Sequence, residues 1–320
     1  MKIVFLDIAT MKPDEFSWEG FEALGEVSLY DRTRTDELME RAAGAEVLFT
    51  NKTVLDAETI DTLPQLKYIG VLATGYNVVD LDAARRHGIT VTNIPAYSTR
   101  SVAQMVFAHI LNITQRVGHY AEEVRSGAWG AQPDFCFWNT PLIELAGKRM
   151  GIIGFGHTGQ ATAHIASAFG MELMVYTSKR QEQLPEGYRK ASLDDLFRYC
   201  DVISLHCPLT PVTKHLVNAE RLSLMKPGAI LINTSRGGLV DETALAEALS
   251  DGRGLQAGVD VLSEEPAQET NPLLHHKNCF ITPHIAWATH ESRQRLLTQA
   301  LLNLKAWINK ETINNVINYE

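Results

Sequence analysis

The sequence predicts an α/β protein built from two doubly wound parallel-sheet domains. Short, nearly continuous apolar runs alternate with amphipathic segments along almost the whole chain, as expected of parallel strands covered by helices on both faces. The alternation breaks near Pro95 and begins again at Arg149, so it comes in two series. At 320 residues the chain also exceeds what a single core ordinarily serves.

In the first series the apolar runs Lys2–Asp7, Val27–Tyr30, Val47–Thr50, Tyr68–Leu72 and Thr90–Asn93 read as strands. The patterns Thr35–Ala43, Asp56–Leu63 and Asp80–His87 read as helices between them. After Pro95 a helix is expected from Thr99 to about Val117, with Val102, Val106, Ile110 and Ile113 on one stripe. Ser126–Thr140, rich in Gly and aromatic residues, reads as an arm or loop.

The second series supplies six expected strands: Arg149–Ile153, Leu173–Thr177, Val202–Leu205, Ala229–Asn233, Ala257–Val261 and Cys279–Thr282. Six is the strand count of a complete dinucleotide-binding sheet. A long amphipathic helix follows Ala288, with Leu296, Leu297, Ala300, Leu304 and Trp307 apolar. The expected division is residues 1–99 with 288–320 as one domain and 100–287 as the other.

Composition narrows the function classes. A net charge of −9 argues against a nucleic-acid partner. The apolar run at the N-terminus is broken at Asp7, too early for a signal-peptide core, and no run approaches a membrane span. Cys136, Cys200, Cys207 and Cys279 are scattered without a C-x-x-C, which reads as a reducing, cytoplasmic setting. His206 and Cys207 have no further ligands at metal spacing, so no metal site is expected.

The second series opens on a strand feeding Gly154-Phe155-Gly156-His157-Thr158-Gly159 and an alanine-rich helical stretch. In this motif Gly154 allows the tight turn, Gly156 lets the backbone approach a diphosphate, and Gly159 lets helix and strand pack closely. The helix N-terminus then presents its amides to the anion. An Asp or Glu commonly ends the next strand, where it accepts from the ribose 2′-hydroxyl of NAD. Here Thr177, Ser178, Lys179 and Arg180 stand in that place. Two hydroxyls and two cations suit a 2′-phosphate, or form a solvated basic loop. The expectation leans to NADP, with NAD left open.

Ligands of open α/β sheets lie beyond the carboxyl ends of the strands. Arg236 in Thr234-Ser235-Arg236-Gly237-Gly238, Glu265 before Pro266, and His284 after Pro283 follow three strands expected to be neighbours. These types suit one reaction, hydride transfer to a ketone. A histidinium protonates the developing alkoxide, a carboxylate orients and charges the imidazole, and a guanidinium binds the substrate carboxylate. Glu264 is an adjacent twin of Glu265, and Asp260 can equally be a strand-end cap for local amides.

Together the glycine motif, Thr234 to Asp241, Gly258-Val259-Asp260-Val261 with Glu265-Pro266, and Thr282-Pro283-His284 resemble the D-isomer-specific 2-hydroxyacid dehydrogenases. The likeness covers essentially the whole chain and is closest to the glycerate dehydrogenase and hydroxypyruvate reductase branch. It implies a flavodoxin-like substrate domain beside a Rossmann dinucleotide-binding domain. His284 would be the acid/base, Glu265 its partner and Arg236 the substrate anchor, with Ala73, Thr74 and Gly75 in the carboxylate-binding loop. Asp260 would sit near the nicotinamide carboxamide. Cys207, Pro208 and Thr213 would line the adenosine side, and Thr234, Ser235 and Ala286 would complete the cofactor contacts.

Relatives of this kind are homodimers whose cleft closes by hinge motion. Trp138 is then expected either to pack at the subunit interface or to reach the neighbouring active site. The implied reaction is reduction of hydroxypyruvate or glyoxylate to D-glycerate or glycolate. The alternatives are another 2-hydroxyacid dehydrogenase, such as the 3-phosphoglycerate type, or a non-catalytic NAD(H)-sensing binding protein. A formate dehydrogenase fits less well, because that branch resembles a Gln at the position of Glu265.

Overall fold

The computed structural model describes residues 1–317. Residues 318–320, the end of the expected substrate domain, lie outside the described residues. The chain forms two units: Met1–Ser98 with the segment from Ala288 onward, and Thr99–Trp287.

The first unit carries β1 (Lys2–Phe5), β2 (Glu26–Leu29), β3 (Val47–Thr50), β4 (Tyr68–Val71) and β5 (Thr90–Thr92), all parallel, in the order β2-β1-β3-β4-β5. This is the flavodoxin-like order, with its switch point between β1 and β3. Strands β3 and β4 are buried at every residue, which is why they read as unbroken apolar runs. The expected helices appear shorter, as Thr35–Ala42, Ala57–Asp61 and Leu81–Arg86. Asp56 and Asp80 cap the latter two, each accepting from the amide three residues on.

The long helix His290–Ile308 also belongs to this unit. It buries Leu296, Leu297, Ala300 and Leu304. Arg293, 7% exposed, donates to Met11 O, Ala288 O and the Glu15 carboxylate.

The second unit holds seven strands: β6 (Arg149–Ile153), β7 (Glu172–Tyr176), β8 (Tyr188–Lys190), β9 (Val202–Leu205), β10 (Ile230–Asn233), β11 (Gln256–Val259) and β12 (Cys279–Ile281). Their order is β12-β11-β10-β9-β6-β7-β8, and every pairing is parallel. The expected count of six is corrected to seven. The missed strand, β8, is a three-residue edge strand of sequence Tyr-Arg-Lys whose side chains are half-buried or exposed. A short charged edge carries no apolar run to detect.

Helix Thr99–Gln115 ends where Arg116 adopts a left-handed conformation at φ 52°, and a second helix, Val117–Arg125, follows. The arm Ser126–Thr140 forms neither helix nor strand.

Candidate active site

The glycine turn sits between β6 and helix His157–Ala168, at the switch point where β6 neighbours β9. Gly154 has φ 95°, and a Cβ there would lie 2.7 Å from the backbone of His206 and Cys207. Only glycine satisfies both conditions. A Cβ at Gly159 would lie 2.1 Å from Gly154 O, so helix and strand are packed backbone to backbone. Phe155 is buried, His157 is exposed and Thr158 is half-buried at the helix start.

Two observations test whether a dinucleotide fits. A Cβ at Gly156 would meet nothing within 4 Å, so space lies open over a helix start that has no side-chain cap. At the end of β10 the hydroxyl of Thr234, a residue 8% exposed, has no hydrogen-bond partner among the described residues. An open anion cradle and an orphaned hydroxyl on the same carboxyl edge of the sheet both suit a bound dinucleotide.

Beside the cradle, Thr177 Oγ1 accepts from the Lys179 amide at 3.2 Å, and the Lys179 ammonium lies 5.4 Å from the Phe155 ring centroid. Ser178 and Arg180 are exposed. On the other side of β6, Ser235 Oγ donates to Cys207 O at 2.8 Å, and Thr213 Oγ1 donates to Pro208 O at 2.7 Å. Thr213 thereby holds the loop that follows β9. Burial pushes the His206 imidazole down to about 3 and the Cys207 thiol up.

On the carboxyl edge of the sheet, the loops after β11 and β12 bring Glu265 and His284 together, and the turn after β10 that carries Arg236 packs against the Glu265 loop. Gly237 presses on the backbone of Leu262 and Ser263, so the Arg236 turn lies directly on the loop leading to Glu265. Asn233 braces the same turn, its amide donating to Arg236 O while its carbonyl accepts from Ser235 N. The exposed Arg236 guanidinium donates to Ser235 O at 2.7 Å.

Glu265 Oε1 accepts from Leu262 N at 3.0 Å, and Oε2 lies 2.6 Å from His284 Nδ1. With Nδ1 held by the carboxylate, Nε2 is the nitrogen presented to a ligand. His284 has φ 54°, an uncommon conformation for a non-glycine residue. Asp260, 1% exposed, accounts for it: its carboxylate accepts from the amides of Ile285 and Ala286 and from the Thr282 hydroxyl. Asp260 is therefore a cap for this turn. With room for about four bonds on a carboxylate, three accepted bonds do not exhaust it.

Of the other expected substrate residues, Ala73, Thr74 and Gly75 belong to the first unit. There, Thr74 Oγ1 donates to Ile94 O, Ile94 N donates to Ala73 O, and Asn93 Nδ2 donates to Thr74 O, bracing the loop through Gly75. Trp138 is 66% exposed on the arm. Asn233 and His109 were missed from the sequence. Asn233 had a signal, as a polar residue closing an apolar run just before the Arg236 turn.

Comparison with known proteins agrees with this architecture. A family model described as "D-isomer specific 2-hydroxyacid dehydrogenase, NAD binding domain" matches residues 107–286. The chain is 47% identical to the hydroxypyruvate reductase of Blautia hydrogenotrophica, over 99% of both chains. It is 40% identical to the glycerate dehydrogenase of Methylorubrum extorquens, over 96% of both. Among solved structures, the TT0316 protein of Thermus thermophilus superposes with a TM-score of 0.86 at 37% identity, covering 99% of this chain and 100% of that one.

Proposed function

The chain belongs to the D-isomer-specific 2-hydroxyacid dehydrogenases, a family of nicotinamide-dependent oxidoreductases, and from that premise we propose that it reduces hydroxypyruvate and glyoxylate to D-glycerate and glycolate. The observation that carries the mechanism is the His284–Glu265 pair at 2.6 Å, on loops that follow neighbouring strands beside the Arg236 turn.

Gly154, Gly156, Gly159 and the helix start behind them would hold the diphosphate, and Thr234 and Asp260 would meet the nicotinamide end. The reduced nicotinamide supplies a hydride when bound. His284 donates the Nε2 proton to the carbonyl oxygen as negative charge develops there. Glu265 fixes the ring and favours its protonated form. Arg236 binds the substrate carboxylate and polarises the carbonyl. Ala73, Thr74 and Gly75 are proposed to supply amides to the same carboxylate.

The proposal leans to NADP, supported by Thr177, Ser178, Lys179 and Arg180 in place of a ribose-binding acid. It also includes a cytoplasmic homodimer. The unpaired cysteines support the compartment, and Phe135 and Trp138, 89% and 66% exposed on the arm, support a second copy covering them.

The test is a spectrophotometric screen of small 2-oxo acids with NADPH and NADH in parallel. Oxidation with hydroxypyruvate or glyoxylate is expected, and none with any 2-oxo acid rejects the activity. A preference for NADH above about tenfold, about 1.4 kcal/mol, rejects the 2′-phosphate assignment. His284→Gln should lower kcat by about 10²–10⁴-fold while reduced cofactor still binds.

A further inference from the structure

His109 stands apart from every residue assigned so far. It lies on helix Thr99–Gln115, 4% exposed, among the apolar residues of that helix. Its ring faces β11 at Gly258, where a Cβ would come within 2.7 Å of His109 Cβ and 2.8 Å of Cγ. Those atoms are the root of the side chain, which cannot swing aside as a flexible tip can. A glycine in the middle of a buried strand weakens that strand, and here it makes the space the imidazole occupies.

The ring also has a directed partner. His109 Nε2 lies 3.1 Å from Thr282 Oγ1. The Thr282 hydroxyl is committed as a donor to Asp260, because a carboxylate only accepts. Thr282 Oγ1 must therefore accept from His109, which places the proton on Nε2 and leaves Nδ1 without one. Burial holds this imidazole below its usual range, against the opposing pull of Asp260, in agreement with a neutral ring.

We infer that His109 is a positioning residue for the catalytic imidazole, acting through Thr282 and Asp260 on the backbone turn that carries His284. The chain of donors runs in one direction, from His109 Nε2–H to Thr282 Oγ1–H to Asp260. The Asp260 carboxylate in turn accepts from Ile285 N at 3.0 Å and Ala286 N at 2.8 Å. Those amides follow His284 immediately and hold it at φ 54°. Without His109, Thr282 Oγ1 loses the donor that holds its rotamer, and the third bond to the Asp260 carboxylate weakens. The inference rests on His284 being the proton donor.

The experiment compares His109→Leu, His109→Gln and Thr282→Val with the parent, measuring kcat, KM for the 2-oxo acid, cofactor Kd and Tm. His109→Leu and Thr282→Val are each expected to lower kcat about tenfold, with KM and cofactor Kd within about twofold. His109→Gln, whose Nε2 can replace the donor, is expected to recover most of kcat. The double variant His109→Leu/Thr282→Val is expected to be no slower than Thr282→Val alone, since both act on one path.

Parental kcat in His109→Leu overturns the inference, and so do equal losses in the Leu and Gln variants. If His109→Leu does not fold, parental kcat in Thr282→Val overturns it instead. His284→Gln in the same series separates the two readings. If its turnover is unchanged, the assignment of the proton donor fails. If it loses turnover while the His109 and Thr282 variants keep theirs, only the positioning role fails.

Discussion

Replacing Gly237 by alanine should cost activity by forcing apart the two loops that carry Arg236 and Glu265. A Cβ there would lie 1.9 Å from the Leu262 carbonyl carbon, 2.1 Å from its oxygen and 2.3 Å from Ser263 N. All three are backbone atoms, so no rotamer change relieves the clash. Ordinary carbon contacts begin near about 3.5 Å, so about 1.5 Å of separation must open between the two loops. One loop carries Arg236 and the other Glu265, which holds His284. A misplacement of about 1 Å costs roughly 10²-fold in rate, equivalent to about 2.7 kcal/mol of transition-state stabilisation.

Steady-state kinetics with saturating reduced cofactor should therefore show kcat/KM down at least about 100-fold. The control is Gly238→Ala, one residue on, whose Cβ would meet only the Leu209 side chain, at 3.0 Å. Leu209 is 44% exposed and can turn away. That variant should stay within about threefold of the parent, the scatter expected of a tolerated substitution. Equal activities in the two variants would refute the claim that the Gly237 contact holds the catalytic groups in register.

At Gly156 the same substitution has the opposite character. Its Cβ enters open space in the folded protein, so Tm should hold, while the methyl occupies the diphosphate cradle and should raise cofactor Kd at least about tenfold, or 1.4 kcal/mol; an unchanged Kd by fluorescence titration would place the dinucleotide elsewhere. For pH, burial holds His206 at about 3 when folded, against about 6.5 when unfolded. Below pH 6.5 the unfolded chain takes up a proton that the folded chain refuses. Stability from this group is therefore complete above 6.5 and lost as pH falls toward about 3, by about 2 kcal/mol at pH 5. His109, also lowered by burial, adds in the same direction. Urea unfolding of the cofactor-free protein at pH 7.5 and 5.0 should show a smaller loss in His206→Gln than in the parent, and equal losses would reject a buried neutral ring.

What could be read from the chain follows the range over which each signal acts. Val47–Thr50 and Tyr68–Val71 were legible because burial on both sheet faces writes itself directly as an apolar run. Tyr188–Lys190 was not, because a short edge strand is defined by the neighbour it pairs with, here Tyr188 beside Leu173 in β7. Arg236, Glu265 and His284 could be proposed together from positions 236, 265 and 284 because parallel topology places every strand's carboxyl end on one edge, and of the three the structure pairs Glu265 with His284. That rule says nothing about what lies underneath the edge.

His109 and Thr282 are 173 residues apart. In sequence, His109 is one histidine on an apolar stripe, indistinguishable from a histidine that merely fills space. What distinguishes it is Gly258, on a strand the helix crosses, and Gly258 taken alone reads as part of Gly-Val-Asp-Val. Asp260 shows the same limit. Its place at a strand end was legible, but its three partners between Thr282 and Ala286 exist only once β12 lies beside β11. The groups proposed to do the chemistry are thus placed by topology, which sequence periodicity reveals. The groups that hold them at an unusual φ are placed by packing between elements, which periodicity does not encode. The support beneath His284, more than His284 itself, is where coordinates add to the sequence.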